Sequence, residues 1–197
     1  MLTAVALAVA VLRPPISVSV HALTDLPRAL VESALEEADA IWRPADVTFS
    51  WEIAEGAGGS WSTLRVTIGD YGGPKGHTGL AIGWIDLDNV GAPAPNIYLS
   101  YRNAMELVRT EEGLAAISRM TVFGLRVRLT RVLGRALAHE LGHYLLGSRM
   151  HTPAGLMKAK RPASDFLGVR RSDFEVDLPL RTLVKSRLVL ADSSARR

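Results

Sequence analysis

Three of the chain's five histidines lie within residues 139–151, and this cluster constrains the fold more than any other part of the sequence. His139 and His143 are four positions apart, so in an α-helix their imidazoles lie one turn apart on one face and can reach a single metal ion. Glu140 projects beside them, close enough to contact a metal-bound water without being a ligand. The cluster therefore predicts a helix that carries a metal site.

The residues after His143 predict a third ligand. Gly147 is a natural end for the helix, because the left-handed turn that terminates many helices is disfavoured for residues with a β-carbon. The chain can then fold back and bring His151 to the same ion. Three protein ligands and a water form a catalytic zinc site, whereas a structural zinc site has four protein ligands. Three carboxylates further along the chain are alternatives for the third ligand: Asp165, Asp173 and Glu175.

An apolar stripe leads into the histidines and supports the helix. The stripe continues at helical spacing onto His139, Glu140 and His143, which places them at its C-terminal end on the core-facing side. Arginines occupy the opposite face, which we expect to be an ordinary solvated surface. The stripe consists of Leu129, Val132, Leu133, Ala136 and Leu137, and the arginines are Arg128, Arg131 and Arg135.

The run His139-Glu140-x-x-His143 resembles the signature of the zincin metallopeptidases, and the glycine and histidine that follow are similar to those of the metzincin branch. The metzincin pattern is H-E-x-x-H-x-x-G-x-x-H, whereas Gly147 comes one residue later and His151 two residues later. One extra residue before the glycine and another after it imply a slightly longer helix and a wider return loop.

A further similarity follows the third histidine. Gly155-Leu156-Met157 resembles the methionine turn of metzincins, which passes beneath the metal and supports the histidine ligands. Met157 would then be the supporting methionine, and an ordinary core position is the alternative. The whole run is also similar to that of small, largely uncharacterised bacterial zincin-like proteins. The similarity is tight over residues 129–160.

The resemblance implies a zinc-dependent peptidase acting on a peptide or protein substrate. His139, His143 and His151 would bind one catalytic Zn²⁺, which lowers the pKa of its water and polarises the scissile carbonyl. Glu140 would accept the proton of the attacking water and pass it to the departing amine. The alternative is a non-catalytic, zinc-stabilised binding or inhibitory module on the same scaffold, although a purely structural site has no need of a carboxylate beside its water.

The resemblance also implies an α+β, zincin-like fold. A twisted mixed β-sheet of four to five strands would pack on a backing helix and an active-site helix, followed by a small C-terminal helical subdomain. One strand, near 80–87 or 97–101, would form the edge above the cleft, where an extended peptide adds by main-chain hydrogen bonds. Residue patterns predict strands near 16–20, 47–51, 64–68, 80–87 and 97–101. They predict helices over 27–43, over 103–120 with a break at Gly113, and from Ser172 or Asp177 to about Val189.

The chain of 197 residues is long enough for one domain with a substantial core, which we place at residues 16–191. An apolar leader or signal-like segment, 1–15, precedes it, and residues 192–197 are predicted to be a disordered tail. The apolar run in the leader is too short to span a membrane as a helix. Its length matches the hydrophobic region of a secretion signal, which would favour a secreted or cell-envelope location over a cytoplasmic one.

Composition and isolated residues narrow the function further. The net charge of +3 is small and dispersed and no nucleic-acid motif accompanies it, so we expect no nucleic-acid partner. The absence of cysteine excludes disulfides and thiolate zinc sites. His21, on the polar side of a strand, and His77, in a glycine-rich loop, are expected to be surface residues, and Tyr144 is expected to pack away from the metal. Nothing in the sequence fixes the oligomeric state.

Overall fold

The computed structural model describes residues 14–23, 25–54, 64–74 and 79–195. Most of the leader and the loop residue His77 lie outside these residues. No helix in the described part of the chain is both long and apolar enough to cross a membrane.

A five-stranded mixed sheet forms the first part of the domain. Its strands are β1 (Ile16–Ala22), β2 (Phe49–Ile53), β3 (Leu64–Gly69), β4 (Gly83–Leu87) and β5 (Pro93–Ser100). They lie in the order β2, β1, β3, β5, β4, and neighbours are parallel except for the antiparallel pair of β4 and β5. Val18 and Val20 of β1 and Val66 of β3 are fully buried, as their alternation with polar residues predicts.

The topology separates the two strands that the sequence offers as the edge above the cleft. Among the residues that the structure describes, β4 is at the end of the sheet and pairs with β5 alone, whereas β5 lies between β3 and β4. The edge strand is therefore Gly83–Leu87, and the strand predicted at 97–101 is internal. The other edge of the sheet is β2.

β5 begins earlier than the sequence predicts. Pro93 and Pro95, which separate the two predicted strands and are typical of a loop, belong to the strand. β4 pairs with β5 from Pro93 onward, whereas β3 pairs with it only from Asn96 onward. The first residues of β5 thus have a neighbour on one side only, where a proline without an N–H group is tolerated.

The helices are α1 (Arg28–Trp42), α2 (Tyr101–Glu112), α3 (Leu114–Ile117), α4 (Val122–Leu146), α5 (Ala163–Leu167) and α6 (Leu178–Ala195). The predicted break at Gly113 is present between α2 and α3, with a positive φ of 80°. α4 begins well before the apolar stripe, because the hydroxyl of Thr121 accepts a hydrogen bond of 3.0 Å from the amide of Gly124 and caps the helix.

The backing helix α1 packs closely on α4 because residue 134 is glycine. A β-carbon at Gly134 would lie 2.6 Å from the carbonyl oxygen of Ala34 on α1, closer than protein atoms approach. One end of the same interface is held by the buried indole of Trp42, whose Nε1 donates a hydrogen bond of 3.0 Å to the carbonyl of Ala138. These contacts fix α1 against the turn of α4 that precedes the histidines.

The arginine face of α4 is not solvated, so that sequence prediction is wrong. Arg135 is completely buried, and its Nε lies 3.1 Å from Oε1 of buried Glu37 on α1. Arg131 donates a hydrogen bond of 2.9 Å to the carbonyl of Leu167. Arg128 pairs with a glutamate of α2 at 2.6 Å. Helical periodicity cannot reveal this, because the partners come from distant parts of the chain.

The closing helix begins at the second of the two positions that the sequence allows. Oδ1 of Asp177 accepts a hydrogen bond of 2.9 Å from the amide of Leu180, whereas Ser172 lies in a short 3₁₀ turn. α6 continues into residues 192–197, for which the sequence predicts disorder. Leu188, within the predicted part of this helix, packs against the core.

Candidate metal centre

The structure brings three imidazoles together at the C-terminal end of α4. The nitrogens that His139, His143 and His151 offer lie within 4.8 Å of one another. The ring centroids of the two helical histidines are 4.8 Å apart, and they lie 5.3 and 4.9 Å from that of His151. Within the described part of the chain, these side chains form a group whose spacing can hold one metal ion.

Backbone carbonyls hold the two helical histidines. Nδ1 of His139 lies 2.9 Å from the carbonyl oxygen of Leu156, and Nδ1 of His143 lies 2.8 Å from that of Ser148. A carbonyl oxygen only accepts, so each Nδ1 must carry the proton that it donates. In neutral rings the two Nε2 atoms then present lone pairs to each other at 3.2 Å. Facing lone pairs repel unless a proton or a metal cation lies between them.

The surroundings keep these rings neutral. Burial lowers the pKa of His139 from 6.5 to about 4, and this effect exceeds the opposing effect of its hydrogen bond to Leu156. Burial also lowers the pKa of His143 and of His151. Because the neutral imidazole is the form that binds metals, all three side chains are available as ligands at neutral pH.

The turn after α4 sets the path to the third histidine. Gly147 ends the helix with φ of 52°, the left-handed conformation expected at this position. The amide of Ser148 donates a hydrogen bond of 3.2 Å to the carbonyl of His143, and the same reversal brings the Ser148 carbonyl to the His143 ring. His151 then reaches the other two histidines despite the wider spacing.

The loop after the third histidine lies against the same helix. The amide of Thr152 donates a hydrogen bond of 2.9 Å to the carbonyl of Met157, and Gly155 has a positive φ of 70°. Met157 is buried, and a β-carbon at Gly142 would overlap its sulfur. Glycine at this position, one residue before His143, thus lets the methionine contact the helix next to the site.

Glu140 is buried and lines the same cavity as the histidines. Burial alone raises the pKa of its carboxyl from 4.5 to about 8, and no donor in the described part of the chain contacts it. Such a carboxyl is mostly protonated at neutral pH while no cation is near it, and a cation held by the histidines would favour the ionised form that a general base needs. β4 passes close by, since a β-carbon at Gly83 would lie 3.1 Å from Cγ of Glu140. Glycine at this position therefore leaves room for the carboxylate.

A cavity of about 970 Å³ connects β4 with the histidines. Residues 80–85, from the edge strand and the chain before it, line one part of this cavity. Apolar residues from several helices line another part: Leu107, Ala136, Ala163, Phe166 and Phe174. The cavity thus combines a sheet edge, apolar surface and a small number of polar groups, as binding sites for organic ligands do.

The carboxylates that the sequence offers as alternative third ligands lie elsewhere. Asp165 has an oxygen 3.7 Å from Nη1 of Arg161, and Glu175 lies 3.5 Å from an arginine of α6. Neither of them nor Asp173 belongs to the group of side chains spaced to hold a metal. His151 is the side chain that the structure places with the two helical histidines.

The two remaining side chains that the sequence sets apart from the site do not line the cavity. His21 is half-buried on β1, where its register partner is Thr67 of β3. Tyr144 packs against the hydrophobic core, as its position on the helix predicts.

Sequence patterns missed the groups that orient the site. The carbonyls of Ser148 and Leu156 leave no sequence signal, because every residue has a carbonyl. Gly83 lies in an apolar run and gives no signal either. Gly142 did carry one, since a glycine inside a helix costs about 1 kcal/mol relative to alanine and usually has a packing reason.

Comparisons with known proteins identify the fold of this chain but assign it to no sequence family. No protein-family model matches the sequence, and no curated protein matches it. Several solved structures do match, among them that of archaemetzincin from Methanopyrus kandleri. That match has a TM-score of 0.55 and 13% sequence identity, and it covers 89% of this chain and 96% of that chain. At this identity the likeness shows the fold alone, and it confirms the predicted zincin-like architecture.

Proposed function

We propose that this chain is a zinc-dependent peptidase in which three histidines bind the metal and Glu140 serves as general base and acid. The observation that carries the proposal is the convergence of three neutral imidazoles, with the helical pair of Nε2 atoms facing each other at 3.2 Å. Three nitrogen ligands with an open fourth position are typical of catalytic zinc. The fold shared with archaemetzincin supports the same assignment.

Zinc, when bound, would polarise a substrate carbonyl and lower the pKa of water. The chain's own contribution is to orient the ligands. The carbonyls of Leu156 and Ser148 fix the rings of His139 and His143 so that both Nε2 atoms point at one place. Loss of such orienting groups typically lowers metal affinity by about 10- to 100-fold.

Glu140 would take the proton from the attacking water and pass it to the departing amine, so that one carboxylate acts first as base and then as acid. Its surroundings support this role. The carboxyl is buried without a partner in the described part of the chain, and burial raises its pKa to about 8, from which a nearby zinc would lower it towards neutral pH. A group with a pKa near the working pH can accept and release a proton in the same cycle.

The free edge of β4 supports an extended peptide as the substrate. Within the described ranges β4 has a hydrogen-bonded neighbour on one side only, and its residues line the cavity together with His139 and Glu140. An extended peptide can add to such an edge through main-chain hydrogen bonds. This arrangement would bring a peptide carbonyl next to the histidines.

We assign Met157 to a metzincin-like methionine turn. Its sulfur packs at Gly142, next to His143, and the neighbouring Leu156 supplies the carbonyl that holds His139. The turn is thus connected to both helical histidines, by packing to one and by a hydrogen bond to the other. These contacts favour a role for Met157 in holding the histidine ligands in place.

The substitution Glu140→Gln tests the proposal. Glutamine preserves the size of the side chain but cannot accept the proton. We expect full zinc content by metal analysis of the purified protein, and a loss of about 10²- to 10⁴-fold in cleavage of an unfolded protein substrate. Glu111→Gln, on an exposed glutamate of α2, is the matched control and should preserve both properties. Undiminished cleavage by Glu140→Gln would exclude its assigned role.

A non-catalytic zinc-stabilised module would give different results. The parent protein and Glu140→Gln would both bind zinc and gain stability from it, and neither would cleave any member of a peptide library. The third ligand is tested separately with His151→Ala, which should lower zinc affinity by about 100-fold or more. Zinc affinity near that of the parent would remove His151 from the site.

A further inference from the structure

The cavity beside the histidines carries an uneven charge. Four basic side chains line it, whereas Glu140 is the sole acidic side chain among the described residues that do so. One of the four precedes the third histidine and three follow Met157. They are Arg149, Lys158, Lys160 and Arg161, which we call the cationic rim.

Three members of the cationic rim have no counter-charge. No carboxylate in the described part of the chain forms an ion pair with Arg149, Lys158 or Lys160. Arg149 and Lys160 are exposed and Lys158 is half-buried, so each can reach a ligand. The exposed Lys185 shows the contrast, because its Nζ lies 2.6 Å from a carboxylate oxygen of Asp46.

Arg161 is the buried member of the cationic rim, with a side chain that is 4% exposed. Its Nη1 donates a hydrogen bond of 2.7 Å to the carbonyl of Asp173, and its Nη2 donates to the carbonyls of Gly155 and Leu156. The guanidinium also lies 4.1 Å from the ring centroid of Phe174. These contacts hold it rigidly. Its Nε is buried without a hydrogen-bond partner in the described part of the chain, and its charge is partly offset by a carboxylate oxygen of Asp165 that lies 3.7 Å from Nη1.

We propose that the cationic rim selects peptides that carry a carboxylate near the bond presented to the histidines. The inference rests on the proposed function, because a peptide must first lie along β4. A carboxylate is the matching group, since it accepts charge-assisted hydrogen bonds from both ammonium and guanidinium groups. The acidic group would approach Arg161 from the cavity, with Lys158 and Lys160 around it.

The expected preference is moderate and depends on salt. An exposed ion pair contributes enough to change affinity by roughly two- to fivefold, so two lysines together give roughly tenfold. The effect should shrink as the ionic strength rises, because the Debye length falls to about 3 Å in 1 M salt. Arg161 already lies 3.7 Å from a carboxylate oxygen of Asp165 and is almost fully buried, so it should add less than either lysine, at most roughly twofold.

Binding of matched peptides to the full chain tests the inference. The protein is loaded with zinc and carries Glu140→Gln, so that no peptide is consumed. Fluorescently labelled, C-terminally amidated peptides differ by a single glutamate or glutamine, which is scanned through the sequence. We expect at least one glutamate peptide to bind roughly tenfold more tightly than its glutamine partner at low salt, and this preference to weaken in 1 M salt.

Two variants assign the preference to the cationic rim. Lys158→Gln combined with Lys160→Gln should reduce the preference to roughly twofold or less, while binding of the glutamine peptide stays unchanged. Both side chains are accessible and unpaired, so the variant should fold as the parent does. Arg119→Gln, on an exposed arginine outside the cavity, is the matched control and should keep the full preference.

The source of the carboxylate is distinguished by one further peptide. A glutamine peptide with a free C-terminal carboxylate should bind like its amide if the rim recognises side chains, and like a glutamate peptide if it recognises the chain terminus. Equal binding of all glutamate and glutamine peptides would overturn the inference, as would a preference that stays near tenfold after removal of both lysines.

The outcome for the inference is separable from that for the proposed function. If the protein with its native Glu140 cleaves no peptide, although acidic peptides bind preferentially, the peptidase assignment is overturned and the inference stands. A protein that cleaves peptides and binds glutamate and glutamine versions equally overturns the inference and leaves the peptidase standing.

Discussion

Two buried polar clusters lie one helical turn apart on α4, and they are built in opposite ways. In the arginine cluster, Nε of Arg135 lies 3.1 Å from Glu37, and its two terminal nitrogens donate hydrogen bonds of 2.9 and 3.0 Å to carbonyls in and after α5. In the histidine cluster, the Nε2 atoms of the helical pair face each other at 3.2 Å. Glu140 beside them has no partner in the described part of the chain.

The difference separates a cluster that stabilises the fold from one with the spacing to hold a cation. Enclosed polar groups in proteins are normally hydrogen-bonded, and the arginine cluster satisfies its own groups. Arg171 completes it with a hydrogen bond of 2.9 Å to the second oxygen of Glu37. In the histidine cluster, the Nδ1 groups of His139 and His143 donate their protons to backbone carbonyls, and the Nε2 lone pairs of the two rings face each other. The first cluster thus holds α1, α4 and α5 together, and the second has nitrogens that converge on one place without satisfying one another.

The largest expected effect separates the clusters by metal binding. His143→Ala removes a ligand from the helical pair, so we expect zinc affinity to fall by about a thousandfold and zinc to be lost on purification. His21→Ala, on a histidine of β1 outside the cavity, is the control and should retain full zinc content. Titration with a competing chelator provides the measurement. Unchanged zinc affinity in His143→Ala would place the metal elsewhere.

The next effect acts on the arginine cluster and should leave metal binding intact. Arg135→Met keeps much of the side-chain volume but leaves Glu37 and several carbonyls without their buried donor. We expect the free energy of unfolding to fall by about 3–5 kcal/mol, measured by denaturant unfolding. Arg128→Met removes a partly exposed ion pair and should cost no more than about 1 kcal/mol.

The folded fraction of Arg135→Met should still bind zinc in the same stoichiometry as the parent. This result would show that the two clusters are independent. A specific loss of zinc from a folded Arg135→Met protein would contradict the division between a stabilising cluster and a ligand-binding cluster.

A third effect concerns how the zinc-free protein responds to pH. The raised pKa of Glu140, about 8, means that the folded state keeps a proton that the unfolded chain releases above about pH 4.5. This carboxyl therefore lowers stability as pH rises between those values. His139 acts in the opposite direction at lower pH. Its pKa of about 4 means that the unfolded chain binds an extra proton below about pH 6.5, so stability rises with pH up to that value.

Between pH 6.5 and 8, Glu140 therefore still changes the free energy of unfolding with pH, whereas His139 no longer does. We expect the free energy of unfolding of the chelator-treated protein to decline there by up to about 1.4 kcal/mol per pH unit. Glu140→Gln should abolish this decline. A parent protein whose stability is flat over this interval would show that Glu140 is ionised in the folded state. The arginine cluster adds no such dependence, because arginine stays protonated over this interval even though burial lowers the pKa of Arg135.

The sequence predicts the histidine cluster well because its geometry is mostly local. A spacing of four places His139 and His143 on one face of any α-helix. The end of the helix at Gly147 depends on that residue's own backbone preference, and the structure has it there. The order of strands and helices follows from hydrophobic periodicity in the same way, and the structure reproduces it except for the short helix α5, which the sequence did not predict.

What the sequence could not predict depends on partners far along the chain. The sequence pattern predicts that Arg135 lies on the surface, because no residue near it in the sequence indicates that Glu37 and the chain after α5 will enclose it. β4 and β5 are equally plausible edges until the pairing of β3 with β5 is known. The free Nε of Arg161 is likewise a property of the assembled loop. Such features are tertiary, and periodicity carries no information about them.

The smallest expected effect tests how tightly Met157 and its loop pack against the helix that carries the histidine cluster. Met157→Leu conserves volume, so we expect it to cost less than about 1.5 kcal/mol in the free energy of unfolding and to leave zinc affinity near that of the parent. Gly142→Ala approaches the same contact from the helix, where a β-carbon would overlap the methionine sulfur and lie 3.4 Å from Trp42. Because the methionine is buried, it cannot move away freely, and this variant should cost about 1–3 kcal/mol. If Gly142→Ala proved as mild as Met157→Leu, the loop would be loosely packed there and the methionine could not act as a support for the ligands.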